Sequence, residues 1–266
     1  MEKTGILLCG HGSRSEEAVS EFRGLAEALD ERFPENHVKY GFLEFATPII
    51  QDGLATLLEN GVNKVLAVPG MLFAAGHVKN DVVSVLNDFA AAKGGVEIGF
   101  GRDLGVDPKM LLAAHDRIEQ AEQGADRTVE RSDTLLMVVG RGTSDPDANG
   151  NIAKITRMLG EGMGFGWAET SYSGVTFPLV APGLEHAVKL GYKRIITFPY
   201  FLFTGILVQR IYDITDQVAA KFPDVDFIKA GYLNAHPSVV DTFVDRVQGI
   251  DGGDNSMNCL TCIYRD

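Results

Sequence analysis

Short apolar runs alternate with longer amphipathic stretches along this chain. Residues 6–9 are continuously apolar, the pattern of a strand buried on both faces of a parallel sheet. Across residues 15–33 the apolar positions Val19, Phe22, Ala26, Leu29 and Phe33 fall three or four apart, which predicts a helix with one buried face. Ser13 or Ser15 would cap it, with Glu16 and Glu17 at the positive end of its dipole. A second strand is expected over residues 37–45 and a helix opened by Thr47 and Pro48. A strand over 65–68, a helix over 79–92 and a strand over 96–100 follow. Strands alternating with helices predict an α/β fold with a parallel sheet covered by helices. In such sheets ligands bind beyond the carboxyl ends of the strands.

The pattern then recurs. Residues 6–13 (ILLCGHGS) match 136–143 (LMVVGRGT), and 65–73 (VLAVPGMLF) match 195–203 (IITFPYFLF), both displaced by 130 residues. Pro48 matches Pro178 at that offset, whereas Pro108, Asp116 and Arg117 match Pro237, Asp245 and Arg246 at 129. One deletion between Phe203 and Gly205 accounts for the change. The chain reads as two tandem homologous lobes, 1–125 and 130–250, followed by a tail, 251–266. The charged stretch 119–133 suits a linker or helix end.

Charge narrows the range of partners. Asp and Glu (36) outnumber Lys and Arg (24), leaving a formal net charge of −12. Nucleic acid is not an expected ligand, because neutralising phosphates needs a basic face. Anionic membranes are disfavoured for the same reason. No apolar run approaches the roughly 18 residues of a membrane-spanning helix. The N-terminus runs straight into a strand, without the basic and apolar regions of a signal peptide. Three cysteines do not make a disulfide framework, so the expected compartment is the reducing cytoplasm.

Three reactive side chains fall just after strands of the first repeat: His11 after the first, Glu44 at the end of the second and His77 after the third. Parallel strands place these ends on one edge of the sheet. Two imidazoles and a carboxylate there suit a divalent first-row metal and proton transfer near neutral pH. The second repeat is an internal control. It keeps the glycines, prolines and apolar runs but has Arg141, Gly174 and Ile206 where the first has His11, Glu44 and His77. Structural residues would not vanish as a set, so one site is expected, on the first repeat. Taken singly, each histidine could be a solvated loop residue and Glu44 half of an ion pair. The Gly10-His11-Gly12-Ser13 turn could instead cradle an anion at the next helix N-terminus. His37, His115, His186 and His236 read as surface residues.

The tail ends in Met257-Asn258-Cys259-Leu260-Thr261-Cys262. Cys-x-x-Cys in a cytosolic chain reads as a metal, iron–sulfur or redox motif, or as an idle pair that bridges on oxidation. Two thiolates do not complete a four-cysteine cluster. Cys9 lies within the first strand and reads as core.

Leu8-Cys9-Gly10-His11-Gly12-Ser13-Arg14, Phe42-Leu43-Glu44 and Pro69-Gly70-Met71-Leu72-Phe73-Ala74-Ala75-Gly76-His77-Val78 together resemble the class II chelatases, over about residues 5–248. The resemblance implies two α/β lobes, each a small parallel sheet flanked by helices, with an active-site cleft between them. It implies insertion of Co²⁺, or of iron or nickel, into sirohydrochlorin or a precorrin-2-like tetrapyrrole, as a step of cobalamin or related porphyrinoid synthesis. His11, His77 and Glu44 would be the catalytic and metal-binding residues. Ser13, Arg14, Lys79, Asn80 and Arg141 are candidates for the substrate's carboxylates. Long members of the family end in Met-x-Cys-x-x-Cys associated with an iron–sulfur centre, which makes Cys259 and Cys262 its candidate ligands here. A cluster shared between chains would make the protein a homodimer. The rival from another class is a tetrapyrrole or metal carrier that binds without turnover.

Overall fold

A computed structural model of the chain describes residues 3–257. It divides into two units of equal design. The first runs to Asp107 and resumes at Ala235; the second spans Pro108–Asn234. Each is built on a four-stranded, all-parallel sheet with helices on both faces.

In the first unit β1 (Thr4–Gly10) lies between β2 (His37–Phe42) and β3 (Lys64–Pro69), with β4 (Glu97–Phe100) at the far edge. Six of the seven β1 residues are buried, as the continuous apolar run requires. Helix α1 (Glu16–Arg32) buries Ala18, Phe22, Leu25, Ala26 and Leu29. Helix α2 (Ile50–Glu59) and α3 (Val83–Lys93) cover the other face. There Leu54, Leu57, Leu86 and Phe89 pack with Leu7, Cys9, Val65 and Ala67. Burying each such large side chain contributes about 1.5–3 kcal/mol.

The second unit repeats this with β5 (Thr134–Gly140), α5 (Pro146–Met163), β6 (Trp167–Tyr172), α6 (Val180–Val188), β7 (Arg194–Pro199), α7 (Ile206–Ala219) and β8 (Asp226–Lys229). Its strand order, β6-β5-β7-β8, is that of the first unit.

The compact units are not the two sequence repeats. The helix ending the first repeat, α4 (Pro108–Gln123), belongs to the second unit, and the helix ending the second, α8 (Pro237–Gly252), belongs to the first. Each ties down the loop after its unit's last strand through one arginine. Arg246 of α8 is buried and donates from Nε to the Asp103 carbonyl (2.9 Å) and from Nη2 to the Leu104 carbonyl (2.5 Å) and the Asp107 carboxylate (2.9 Å). Arg117 of α4 donates from Nε and Nη2 to the Leu233 carbonyl, at 3.3 and 3.0 Å. Leu104 and Leu233 are equivalent positions, so the two devices are one device used twice. An amphipathic helix specifies the face it buries, not which of two similar sheets it buries it on. The repeat boundaries are therefore visible in sequence and the exchange is not.

Two local differences from the sequence reading matter for the site. β2 ends at Phe42, and Glu44 stands two residues beyond it in a bend where Phe45 takes a positive φ of 64°. His77 opens a π-helical turn, His77–Val82, that leads into α3. The second helix also starts later than expected: Pro48, after a cis peptide bond, precedes it, and the first helical residue is Ile50. Ser15 is the cap of α1, accepting from the Ala18 amide, while Ser13 Oγ accepts from the Ser15 amide at 3.0 Å.

Candidate metal centre

Register brings the reactive loops together. Gly10 of β1 pairs with Phe42, and Cys9 with Pro69, so the three strands end level. The ladder continues past the strands. Leu43 and Glu44 donate their amides to the carbonyls of Gly10 and His11 at 2.8 and 3.0 Å, and Gly70 donates to Cys9 at 2.7 Å. His11 and His77 therefore leave the sheet on either side of the point where the strand order reverses, the usual ligand position in such folds.

There His11, Glu44 and His77 each offer a ligand atom, all within 4.8 Å of one another. Among the described residues no other set of three His, Cys or acidic side chains meets in this way. His11 Nε2 lies 3.4 Å from Glu44 Oε1, and the two imidazole rings meet edge to face at 4.4 Å between centroids. All three side chains are half-buried, at 31%, 43% and 44% exposure, open enough to receive an ion from solvent. Two imidazoles and a carboxylate are a donor set for cobalt, iron, nickel or zinc.

Each imidazole is held from behind. His11 Nδ1 faces the Gly12 carbonyl at 3.1 Å. His77 Nδ1 lies 2.8 Å from Asp81 Oδ2, one turn further along the π-helical segment. Asn80 donates its side-chain amide to the other oxygen of Asp81 at 2.9 Å. The Asn80 amide first, then the His77 ring, hold the Asp81 carboxyl below its ordinary range. The segment before His77 is anchored through Ala74, whose amide donates to the buried Asp103 carboxylate at 2.9 Å. Burial raises the Asp103 pKa, against the opposing pull of that hydrogen bond and of Arg246.

The other sequence candidates take varied places. Arg14 stacks its guanidinium 5.0 Å above the Phe45 ring, which itself lies 6.0 Å from the His11 ring. Asn80 is committed to Asp81 through one of its N–H groups, and Lys79 stands on the same π-helical turn. Ser13 serves the start of α1. His236 caps α8, its Nδ1 accepting from the Ser238 amide. Cys259 and Cys262 lie outside the described residues.

The second unit reproduces the scaffold without the donors. The Glu44 carbonyl closes over Gly12 as the Gly174 carbonyl closes over Gly142, and Phe45 and Val175 share a positive φ of 64° and 67°. These pairs bear out the register that sets Glu44 against Gly174. Arg141 Nη1 donates to the Gly142 carbonyl at 3.2 Å, as the His11 ring faces Gly12. Ile206, at the position of His77, is exposed.

Sequence reasoning missed Asp81, Asp103, Arg246 and Phe45. Asp81 carried a signal in its four-residue spacing from a histidine at a helix start. Arg246 carried one in its match to Arg117 across the repeats, but nothing in the chain tied it to Asp103, 143 residues away.

The CbiX family model matches the chain twice, over residues 5–121 and 135–250. A sirohydrochlorin cobaltochelatase of Priestia megaterium is 34% identical over 260 residues, covering 98% of this chain and 84% of that protein. A sirohydrochlorin ferrochelatase of the same organism is 29% identical, covering 87% and 84%. The solved structure of SirB from Bacillus subtilis with Fe³⁺ superposes with a TM-score of 0.82 at 26% identity, covering 96% of this chain and all of that one. No helix among the described residues is long and apolar enough to cross a membrane.

Proposed function

The chain belongs to the CbiX family, and on that premise we propose that it inserts a divalent first-row metal into sirohydrochlorin, with Co²⁺ as its principal substrate metal. The convergence of His11, Glu44 and His77 on one point carries the reading. Metal insertion makes two demands. The metal must shed water and be held loosely enough to leave again. The macrocycle must lose two pyrrole N–H protons as the metal enters. Three open donors, short of a closed tetrahedral set, meet the first. Imidazoles beside the ring centre meet the second, as bases working near neutral pH. His11 and His77 take Co²⁺ through their outer nitrogens and accept the protons as it passes to the macrocycle. Glu44 offsets the metal's charge and orients His11.

The substrate carries many carboxylates, and the protein is acidic overall, so recognition rests on local donors. Arg14, held on Phe45 beside His11, is the best placed. Ser13, Lys79 and Asn80 are further candidates on the first repeat, and Arg141 on the second. Arg141 stands where the first repeat has a ligand histidine; a cation there suits a carboxylate and repels a metal ion.

Iron is the second reading, favoured by the ferrochelatase relative. His/His/Glu donors accept either metal, so selectivity follows supply and geometry rather than ligand type. The two cysteines of the iron–sulfur motif do not make a four-cysteine cluster on one chain; a second chain or ligands of another type would complete it. Cys259 and Cys262 supply two thiolates, and burial in β1 pushes the Cys9 thiol far up, away from ligation. A four-thiolate cluster would need two copies of the chain, hence a homodimer, and no step of the reaction is assigned to it. The compartment we assign is the cytoplasm, on cysteine usage.

The test is metal insertion followed by visible absorption. Anaerobic protein is mixed with sirohydrochlorin and Co²⁺, Fe²⁺ or Ni²⁺ in turn. Multiple turnovers are expected, fastest with Co²⁺, and His11→Ala or His77→Ala should slow them by about 10²–10⁴-fold. A stoichiometric spectral change without turnover would overturn the enzyme reading in favour of a carrier.

A further inference from the structure

We infer that Asp81 is a positioning residue that keeps the proton of His77 on Nδ1, so that Nε2 presents its lone pair to the incoming metal. The metal half of this statement rests on the chelatase reading; the tautomer half does not.

Asp81 Oδ2 is 2.8 Å from His77 Nδ1, and Asn80 donates to Oδ1, so both carboxylate oxygens are assigned. An ionised carboxylate only accepts, which puts the shared proton on the ring nitrogen. A carboxylate behind a metal-binding histidine fixes the ring's orientation and raises its basicity. His11 is held differently, with acceptors facing both ring nitrogens: the Gly12 carbonyl at Nδ1 (3.1 Å) and Glu44 Oε1 at Nε2 (3.4 Å).

The second repeat argues against an ordinary helical ion pair. It has Ile206 and Arg210 where the first has His77 and Asp81, so the two members are absent together. The neighbours that build the fold are kept. Gly76 corresponds to Gly205 at the helix start, and Val82 to Ile211, each fully buried. The first repeat also carries a π-helical turn at this place, where the second has plain α-helix from Ile206. Such widened turns are rare and cluster at functional sites.

The test uses the full-length chain, with ¹⁵N-labelled histidine and no metal, in mildly alkaline buffer. Two-bond ¹H–¹⁵N correlation spectra report which ring nitrogen carries the proton. In the parent, His77 should show Nδ1 protonated and Nε2 bare. Asp81→Ala should move proton density onto Nε2, and Asp81→Glu should restore part of the parent pattern. Asp81→Asn, equal in size, guards against a folding defect, and should also weaken the bias. In the Co²⁺ assay Asp81→Ala should raise the KM for Co²⁺ about 10–100-fold, with the KM for sirohydrochlorin unchanged. Unaltered His77 shifts in Asp81→Ala, or a parent ring protonated on Nε2, would overturn the inference whatever the assay shows. A tautomer shift in a chain that inserts no metal would uphold it and remove the chelatase reading instead.

Discussion

Glu44 closes its carbonyl oxygen over Gly12 so tightly that a Cβ on the glycine would stand 1.7 Å from it. Gly174 stands to Gly142 in the same way, at 1.9 Å. Both glycines also have positive φ, 99° and 82°. The turn is therefore a device of the fold, present in both repeats, and the proposed metal donors stand on only one of them.

Any side chain at either glycine must push the neighbouring loop away. Gly12→Ala and Gly142→Ala should each destabilise their unit by about 1–3 kcal/mol from backbone strain alone, with the overlap adding to it. Only Gly12→Ala should weaken Co²⁺ binding, because it displaces His11 and Glu44. Calorimetric unfolding paired with Co²⁺ titration separates the two effects. Equal loss of Co²⁺ affinity in both variants would contradict a single site.

Arg246 is the other long-range support. It is buried, and its removal takes a donor from the Asp107 carboxylate and from two carbonyls. Arg246→Ala should cost about 3–5 kcal/mol. Arg117→Ala, which frees one carbonyl, should cost about 1 kcal/mol. Denaturant unfolding measures both. Metal affinity should fall with Arg246 alone, since its loop carries the Asp103 that holds Ala74, three residues before His77.

Asp103 also sets a pH dependence. Its folded pKa is raised above the ordinary 3.8 by burial. The folded state therefore holds this proton more tightly than the unfolded chain does, and the group's ionisation costs stability as pH rises from 3.8 through the raised value. Asp103→Asn keeps an oxygen for the Ala74 amide and cannot ionise. The variant should gain on the parent as pH climbs through that window, then hold a constant difference. Unfolding free energies at a series of pH values test this; a difference that does not vary with pH would contradict it.

Arg141 is expected to serve the tetrapyrrole and not the metal. Arg141→Ala should raise the KM for sirohydrochlorin about tenfold, the loss of a single charge-assisted hydrogen bond. The Co²⁺ affinity measured without tetrapyrrole should stay unchanged. Steady-state kinetics and Co²⁺ titration decide it.

Much of this site was legible in the chain itself. The duplication, the strand ends and the three donors follow from local patterns: a parallel strand must expose its carboxyl end beside its neighbour's, so residues just past three apolar runs have to meet. Comparison of the repeats then separated His11, Glu44 and His77 from the glycines and prolines that only build the turn. Other features needed the tertiary structure. The exact end of β2 and the left-handed Phe45 depend on a hydrogen-bond ladder that outruns the strands. The partnership of Asp81 with His77 depends on a widened helical turn that residue spacing does not announce. The exchange of α4 and α8 between units, with Arg246 holding a loop 143 residues away, depends on which of two similar sheets each helix finds. Apolar periodicity specifies that a face will be buried. Which surface buries it is settled only when the whole chain has folded.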